Sequence, residues 1–556
     1  HLSRLAETLT PSERSDALMR MSVIAKDHLA DQSRSIESLE RARRSGAPTL
    51  EVLERLAQQY METHQSPQAV EVLEQAVGLA TEPQRLSDIN FLLAQVLERD
   101  VKNDVGAVKH YNKALDAAPT NVKAFEAIER ILTQARAWDK LEGNYRAMIE
   151  RSKVLTPAIR LILWRNLAEL YRRVLKQLDN AIMAYEVIRK MDPGKLADTQ
   201  ILADLYAEKP EQRKKAIDMQ HDLIKELDSP VGPVRKLRQL YHVGQQFDQV
   251  YALASALVCL NEADDEEKKV YQYLQQGIPA LATQSLTEDS WPMILHSDLF
   301  NPIGQLAALL YRTAPDYVTR PAKDLDMKKK DFIDVRTSEL YLATRMRYIG
   351  KLLNIHGVDL YKKGGSMERL QVIPAQPPAL MAGEANDIFR ETDQRLLLFQ
   401  VGRNMAYARP ELFVGRVHAG DALRDVLFGL CSVYNQGLTH NGNVREVERH
   451  YQTFSRLPQQ ALTRMAEAVK AAYPHLAGGE MIKSYQSAVE ATATRAGLIA
   501  SGDLAAALRG LNKGDDGAIG VPMRARIKDL VLFAVSREYF ELRQQSGGAL
   551  VVGKAG

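Results

Sequence analysis

The sequence predicts a mostly α-helical protein: an α-solenoid of stacked helix pairs through the first half, then a mainly helical α+β domain with a small sheet. Three observations predict it. Down the first half, a small residue is followed twelve or thirteen positions later by another, with apolar residues four and seven positions beyond that. That period fails near residue 285. Beyond it, glycine and proline punctuate one short β-like run set among long apolar helices.

The clearest copy has Leu53, Leu56, Ala57 and Tyr60 on one helix and Ala69, Leu73 and Ala76 on the next. Leu93, Ala94 and Leu97 lead in the same way to Ala107, Tyr111, Ala114 and Pro119. Trp164, Leu167, Ala168 and Tyr171 lead to Ala181, Tyr185, Ile188 and Pro193, and Leu202, Ala203 and Tyr206 lead to Ala216 and Leu223. Fainter copies run through Met21, Ala25, Leu39 and Ala42, through Phe125, Ile128, Tyr145 and Met148, and through Leu237, Tyr241, Val250 and Leu257. The frame positions Ser22, Ala57, Ala94, Glu129, Ala168, Ala203 and Arg238 lie 35 to 39 residues apart. Small side chains at a helix crossing let the axes approach, and each pair needs a neighbour to bury its apolar face.

These segments resemble tetratricopeptide repeats, about seven of them over residues 15 to 260. The resemblance implies a right-handed superhelix that binds a peptide or protein partner on its concave face. It places Phe91, Gln95, Glu126, Arg130, Arg165, Glu169, Arg172 and Asp204 in that groove. Their mixed charge suits an extended peptide or a partner helix better than a uniformly acidic tail. The domain organisation expected is 1–285 for the solenoid and 286–556 for the second domain, with Trp291 packed between the two. The first residue is His1 rather than Met, which points to a processed or excised segment, and Leu2 to Glu13 form only a short polar cap. The combination resembles the very long repeat proteins of gliding, predatory bacteria.

In the second half, Tyr271, Leu274, Ile278 and Leu281 lie on an apolar helix-like run. Gly364-Gly365, Pro374 and Pro377-Pro378 flank a short strand through Leu370, Val372 and Ile373. Helices are expected at Leu396 to Ala408, ending before Pro410, and at Leu423 to Tyr434, Ala461 to Ala472, Met481 to Leu498 and Ile527 to Leu542.

Residues Leu398 to Tyr407 align with a helix that reads L-x-x-x-L-G-H-E-x-x-H in HtpX-like, gluzincin-type metallopeptidases, and Glu490 to Leu498 with the helix carrying their third zinc ligand. By this resemblance, residues 335 to 505 form a domain shaped like such an enzyme. The chemistry departs from it. Zinc catalysis there needs two imidazoles one turn apart and a carboxylate to take the water proton. Arg403, Asn404 and Tyr407 occupy those places, and only Glu490 survives. A guanidinium cannot ligate a cation and an amide cannot act as the base. The segment reads either as a pseudo-peptidase without metal or as a plain core helix whose Arg403 pairs with an acid.

The 73 basic residues are balanced by 70 acidic ones, which argues against a phosphate-backbone-binding surface, so no nucleic acid is expected. Cys259 and Cys431 read as two buried thiols. No run of 18 apolar residues suggests a membrane-spanning segment. The glycines at 514, 517 and 520 lack the lysine of a phosphate loop, and His440 and His450 are too far apart for one helical ligand pair. Lys328-Lys329-Lys330 reads as a solvated loop. The expectation is a non-catalytic scaffold with no cofactor and no metal. Its alternatives are a hydrolase with an unrecognised site in the second domain, or a self-assembling structural protein whose repeats associate homotypically. A cytoplasmic location is expected, with the periplasm as alternative because the native start lies outside the sequence.

Overall fold

The computed structural model describes residues 10–46, 48–151, 156–363, 370–383, 387–389, 391–435, 437–513 and 520–550. Residues 2–9 of the expected cap, Gly364-Gly365 and the glycines at 514 and 517 lie outside them.

Among the described residues, seven successive helix pairs begin the chain. They are α1 (Pro11–Asp27) and α2 (Gln32–Arg44), α3 (Leu50–Glu62) and α4 (Ser66–Leu79), α5 (Pro83–Arg99) and α6 (Asp104–Ala117), and α7 (Val122–Gln134) and α8 (Trp138–Arg151). Then come α9 (Pro157–Glu169) and α10 (Leu178–Met191), α11 (Leu196–Ala207) and α12 (Arg213–Glu226), and α13 (Val231–Val243) and α14 (Phe247–Cys259). These pairs form the expected α-solenoid type of array, followed by a mainly helical region with a small sheet. The compact units, however, are His1–Ala216 and Ile217–Gly556, so the division falls inside α12 rather than near the expected 285.

In the first unit the frame residues Ser22, Ala57, Ala94, Ala168 and Ala203 are buried, as are Ala69, Ala107 and Ala181 on the second helices. The misfit at Glu129 has a partner, because the Tyr145 hydroxyl donates to its carboxylate. That contact belongs to a recurring set. Tyr60 donates to Glu40 (2.8 Å), Tyr111 to Glu98 (2.8 Å) and Tyr171 to Glu142 (2.7 Å), and Tyr185 and Tyr206 donate to Glu169 and Glu186. A tyrosine thus fills the gap between helices with its ring and reaches a carboxylate at the edge with its hydroxyl. Ion pairs join first helices of consecutive repeats: Lys26 to Glu62 (2.7 Å), Arg85 to Glu54 (3.1 Å), Arg165 to Asp198 (2.7 Å), and Arg130 to Glu98. These pairs are partly exposed, so each contributes about 0–1 kcal/mol and mainly fixes register.

The turn inside six of the seven helix pairs passes through a residue in left-handed conformation, and none of them is glycine. Ala30, His64, Lys102, Arg136, Lys176 and Gln245 have φ of 49°, 55°, 58°, 51°, 55° and 56°. The next N–H returns to the helix, as from Gln65 to the Tyr60 carbonyl (2.8 Å) and from Ala137 to that of Leu132 (2.9 Å). Eight residues separate Ala168 from Lys176, against seven from Ala57 to His64, and a π-helical turn, Leu170–Leu175, absorbs the extra one. A left-handed non-glycine residue costs roughly 1–2 kcal/mol, partly offset by glycine's larger unfolded-state freedom. Arg136→Gly and Lys102→Gly are therefore each expected to stabilise by up to about 1 kcal/mol. A lowered denaturant midpoint for either variant would contradict this.

The second unit begins with the rest of α12 and the pair α13–α14. Arg238, the other misfit in the frame, is buried beside Glu267 (3.4 Å), which Arg235 also holds (2.9 Å). His221 stands twenty residues before Tyr241, the spacing of Glu40 from Tyr60 and of Glu186 from Tyr206, and its Nε2 is 3.0 Å from the Tyr241 hydroxyl. Phe540 packs on both rings, at 6.0 and 5.8 Å, where a carboxylate would be costly. Burial, with Arg537 and Lys225 nearby, pushes the His221 imidazole down to about 3. Between that value and the ordinary 6.5, the unfolded chain binds a proton that the folded chain does not, so stability falls as pH drops. We expect His221 to account for about 2 kcal/mol of lost stability between pH 7 and pH 5, and His221→Gln to flatten that part of the denaturation profile. An unchanged profile in the variant would contradict the assignment.

Helix α14 explains why the units divide early. Ten consecutive residues, Asp248 to Leu257, are buried, so no face is left for solvent. Its surroundings come from α13, from α15 (Asp265–Gln275) and from helices at the C-terminal end of the chain. The expected apolar helix through Ile278 and Leu281 stops at Gln275, before Gly277 and Pro279.

Helix α16 (Pro302–Thr313), strand β1 (Phe332–Ile333), α17 (Tyr341–Leu352) and strands β2 (Asp359–Lys363), β3 (Gln371–Ile373) and β4 (Ala379–Gly383) follow. The sheet has order β1-β2-β4-β3, with β2 and β4 parallel and both edges antiparallel. The expected strand is β3. Then come α18 (Gln394–Ala406), α19 (Pro410–Val417), α20 (Asp421–Tyr434), α21 (Val444–Phe454), α22 (Gln459–Leu476), α23 (Glu480–Ser501) and α24 (Leu504–Lys513). The single helix expected over Ile527 to Leu542 is two, α25 (Met523–Ala534) and α26 (Arg537–Gln545), because Ser536 caps the second by accepting from Tyr539 N–H (3.1 Å). Trp291 is buried within this unit, donating to the Leu353 carbonyl (2.9 Å) under the Arg409 guanidinium (4.0 Å to the ring centre). Cys259 and Cys431 are free thiols, both pushed up to about 12 by burial. Among the described residues no helix is long and apolar enough to cross a membrane.

Candidate functional site

Helices α18 and α23 cross at glycines. A Cβ added at Gly402 would lie 2.6 Å from the Ala500 Cβ, and one at Gly497 would lie 2.8 Å from the Phe399 carbonyl oxygen. This close approach brings the two aligned segments together. Tyr407 donates to Glu490 Oε2 at 2.7 Å, and Arg403 Nη2 donates to Oε1 at 2.5 Å. Arg526 on α25 adds a second guanidinium 3.7 Å from Oε1. Thr494, one turn along α23, stands 3.5 Å from the same oxygen.

All four principal side chains are buried, with Glu490 only 3% exposed. Burial pushes the Glu490 carboxyl up, but Arg403, the Tyr407 hydroxyl and Arg526 outweigh it and hold it below the usual range. Burial raises the Tyr407 phenol, with the Glu490 charge adding to it against Arg403. Asn404 turns away and donates to the Gln400 carbonyl on its own helix (2.8 Å). Three of the four positions picked out in the sequence therefore meet, and Asn404 does not join them. Arg526 had no signal beyond an arginine on the apolar side of a helix.

A zinc ion does not fit this constellation. A guanidinium and a phenol stand at two of the places the sequence alignment would give to zinc ligands, and the single carboxylate is already bonded to both. Among the described residues no group of three His, Cys, Asp or Glu side chains is arranged to hold a metal.

On the first unit, a cleft of about 850 Å³ lies between the first helices of the second and third repeats. Ala57, Met61, Leu73, Ile89 and Leu92 give it an apolar floor. Four carboxylates, Glu51, Glu54, Glu62 and Asp88, face two guanidiniums, Arg55 and Arg85, around it. A smaller cleft of about 300 Å³ lies between the first helices of the fifth and sixth repeats and includes Arg172 and Asp204.

The other expected groove residues are placed differently. The Phe91 ring sits against that of Tyr111 (5.5 Å), so on α5 the cleft is lined by Asp88, Ile89 and Leu92. Arg130 and Arg165 are engaged by Glu98 and by Asp192 and Asp198. Glu169 accepts from Arg172 (2.8 Å) and from Tyr185. Gln95 is partly exposed and Glu126 exposed, and neither lines the two clefts. The missed residues Glu54 and Arg85 had a faint signal in their 31-residue spacing, close to the repeat period.

No family model matches the chain, and no curated protein matches it. The solved structure of MamA protein is 15% identical with a TM-score of 0.23, covering 33% of this chain and 94% of its own. A tetratricopeptide repeat protein from Parabacteroides merdae is 14% identical with a TM-score of 0.22, covering 46% of this chain and 97% of its own. A structure of Naa15/Naa10 bound to HypK-THB is 14% identical with a TM-score of 0.31, covering 90% of this chain and 63% of its own.

Proposed function

We propose that the protein is a non-catalytic scaffold whose helix-pair array binds an extended peptide segment of a protein partner. The observation that carries this reading is the cleft between α3 and α5, with its apolar floor and four carboxylates set against two guanidiniums and the Lys26 ammonium that pairs with Glu62. Leu92 supports it further, since a large apolar side chain is 38% exposed there. Such a surface suits a peptide that inserts one apolar side chain and flanks it with lysine or arginine. Selection from a displayed peptide library on the full chain is expected to return that pattern. Leu92→Glu is expected to weaken the selected peptides about tenfold or more. Peptides of another pattern, or equal binding to the variant, would overturn the reading.

For the second unit, we infer a metallopeptidase-like domain without catalysis. The convergence of Arg403, Tyr407 and Glu490 at one helix crossing supports this, because those are the ligand positions of the resemblance. A plain core ion pair accounts for the same contacts. Stoichiometric zinc that is lost in Glu490→Gln, together with casein hydrolysis, would overturn both.

A further inference from the structure

The C-terminal unit has a second cleft, of about 690 Å³, between the segment after α16, the end of α19 and one face of α21. Its charge is one-sided. Arg320, Arg449 and Arg456 line it, and Asp316 is the one carboxylate among its lining residues. Asp316 is engaged by the Gln376 amide (2.5 Å). Arg449 reaches Glu446 at 2.7 Å in an exposed pair that screening weakens. Among the described residues, the Arg320 and Arg456 side chains make no hydrogen bond or ion pair.

Two imidazoles complete the wall. The rings of His418 and His450 meet edge to face at 6.2 Å. Burial lowers both, and Arg449 and Arg320 add to it, with Glu446 and Asp425 opposing on His450. Three guanidiniums against Asp316 in the lining and Glu446 beside Arg449 leave the cleft with a net positive potential. Underneath, Val426 and Phe454 are buried and give the cleft an apolar floor. The volume lies within the roughly 300–1,000 Å³ of small-molecule sites and is too small for a folded partner.

We propose that this cleft binds a small phosphorylated molecule, the phosphate held by Arg320, Arg449 and Arg456 and hydrogen-bonded by His418 and His450. Guanidinium forks match phosphate oxygens two at a time, and the imidazole N–H groups supply further donors from the wall. The apolar floor takes the body of the ligand. This site is independent of the groove on the first unit, and its failure would leave the scaffold reading untouched.

Calorimetric titration of the full chain with inorganic pyrophosphate, and separately with citrate, tests it. Pyrophosphate is expected to bind, and citrate to bind more weakly. Arg320→Gln and Arg456→Gln are exposed-site changes that leave the fold intact, and each is expected to weaken pyrophosphate about tenfold or more. His418→Gln is expected to weaken it less. Absence of heat at millimolar pyrophosphate, binding unchanged in the Arg320→Gln/Arg456→Gln double variant, or citrate binding while pyrophosphate stays silent would each overturn the proposal.

Discussion

Replacing Glu490 by alanine is expected to destabilise the C-terminal unit by about 3–5 kcal/mol. The variant leaves Arg403 and Arg526 facing each other with no carboxylate between them, Arg403 being 5% and Arg526 6% exposed. Removing one partner of a buried ion pair costs more than the pair contributes, since the remaining charge keeps its desolvation penalty. Tyr407→Phe removes one hydrogen bond to a charged group and is expected to cost about 1.5–3 kcal/mol. The sign of the pH dependence follows from the depressed carboxyl. Stability from Glu490 is present above the unfolded carboxylate value near 4.3 and is lost as pH falls through the folded one, so the gap between wild type and variant narrows below about pH 4. Exchanging Arg403, Glu490 and Arg526 together for Met, Leu and Met is expected to recover most of the loss. Denaturant unfolding of the four proteins checks this, and a single-variant cost under about 1 kcal/mol would contradict it.

Asp248→Ala carries the second large effect, again about 3–5 kcal/mol. Asp248 is 7% exposed on α14, and Arg543 on α26 is 3% exposed. The carboxylate accepts from Arg543 Nε (2.9 Å) and Nη2 (2.7 Å), and from the Leu550 N–H (2.7 Å). The guanidinium is further held over the Tyr251 and Tyr539 rings at 5.4 and 5.6 Å and donates to the Gly502 carbonyl (3.2 Å). One side chain on α14 thus holds both α26 and Leu550. In the variant, residues 537–550 are expected to become the first site of limited proteolysis. Arg543→Lys is expected to rescue little, because an ammonium cannot reproduce the two-pronged contact or the ring stacking. A native cleavage pattern in Asp248→Ala would contradict this account.

The helix pairs were legible because their signal is steric: alanine at a crossing is needed wherever two axes approach. Glu129 and Arg238 broke the pattern, and only coordinates show that Tyr145 and Glu267 answer them. The turns were silent, since Ala30, His64, Lys102, Arg136, Lys176 and Gln245 adopt a conformation for which glycine is the usual sign. Strand β4 was missed because all five of its residues are buried, which removes the alternation that marks a half-exposed strand. The early boundary between units was hidden because α14 reads as one more repeat helix, and its being buried on every side follows from helices near the other end of the chain. At the α18–α23 crossing, the alignment of short motifs brought Arg403, Tyr407 and Glu490 into view, whereas Arg526 depends on tertiary packing. The repeat frame pointed to α5 but to no residue on α3, and on α5 the Phe91 ring sits against Tyr111 while Asp88, Ile89 and Leu92 line the cleft.

The most direct measurement is hydrogen exchange on the full chain with and without a library-selected peptide. Slowed exchange confined to α3 and α5, Leu50–Glu62 and Pro83–Arg99, is the predicted footprint. Protection that appears instead along strand β3 and helix α18, with the first unit unchanged, would contradict the account and return the partner-binding role to the C-terminal unit.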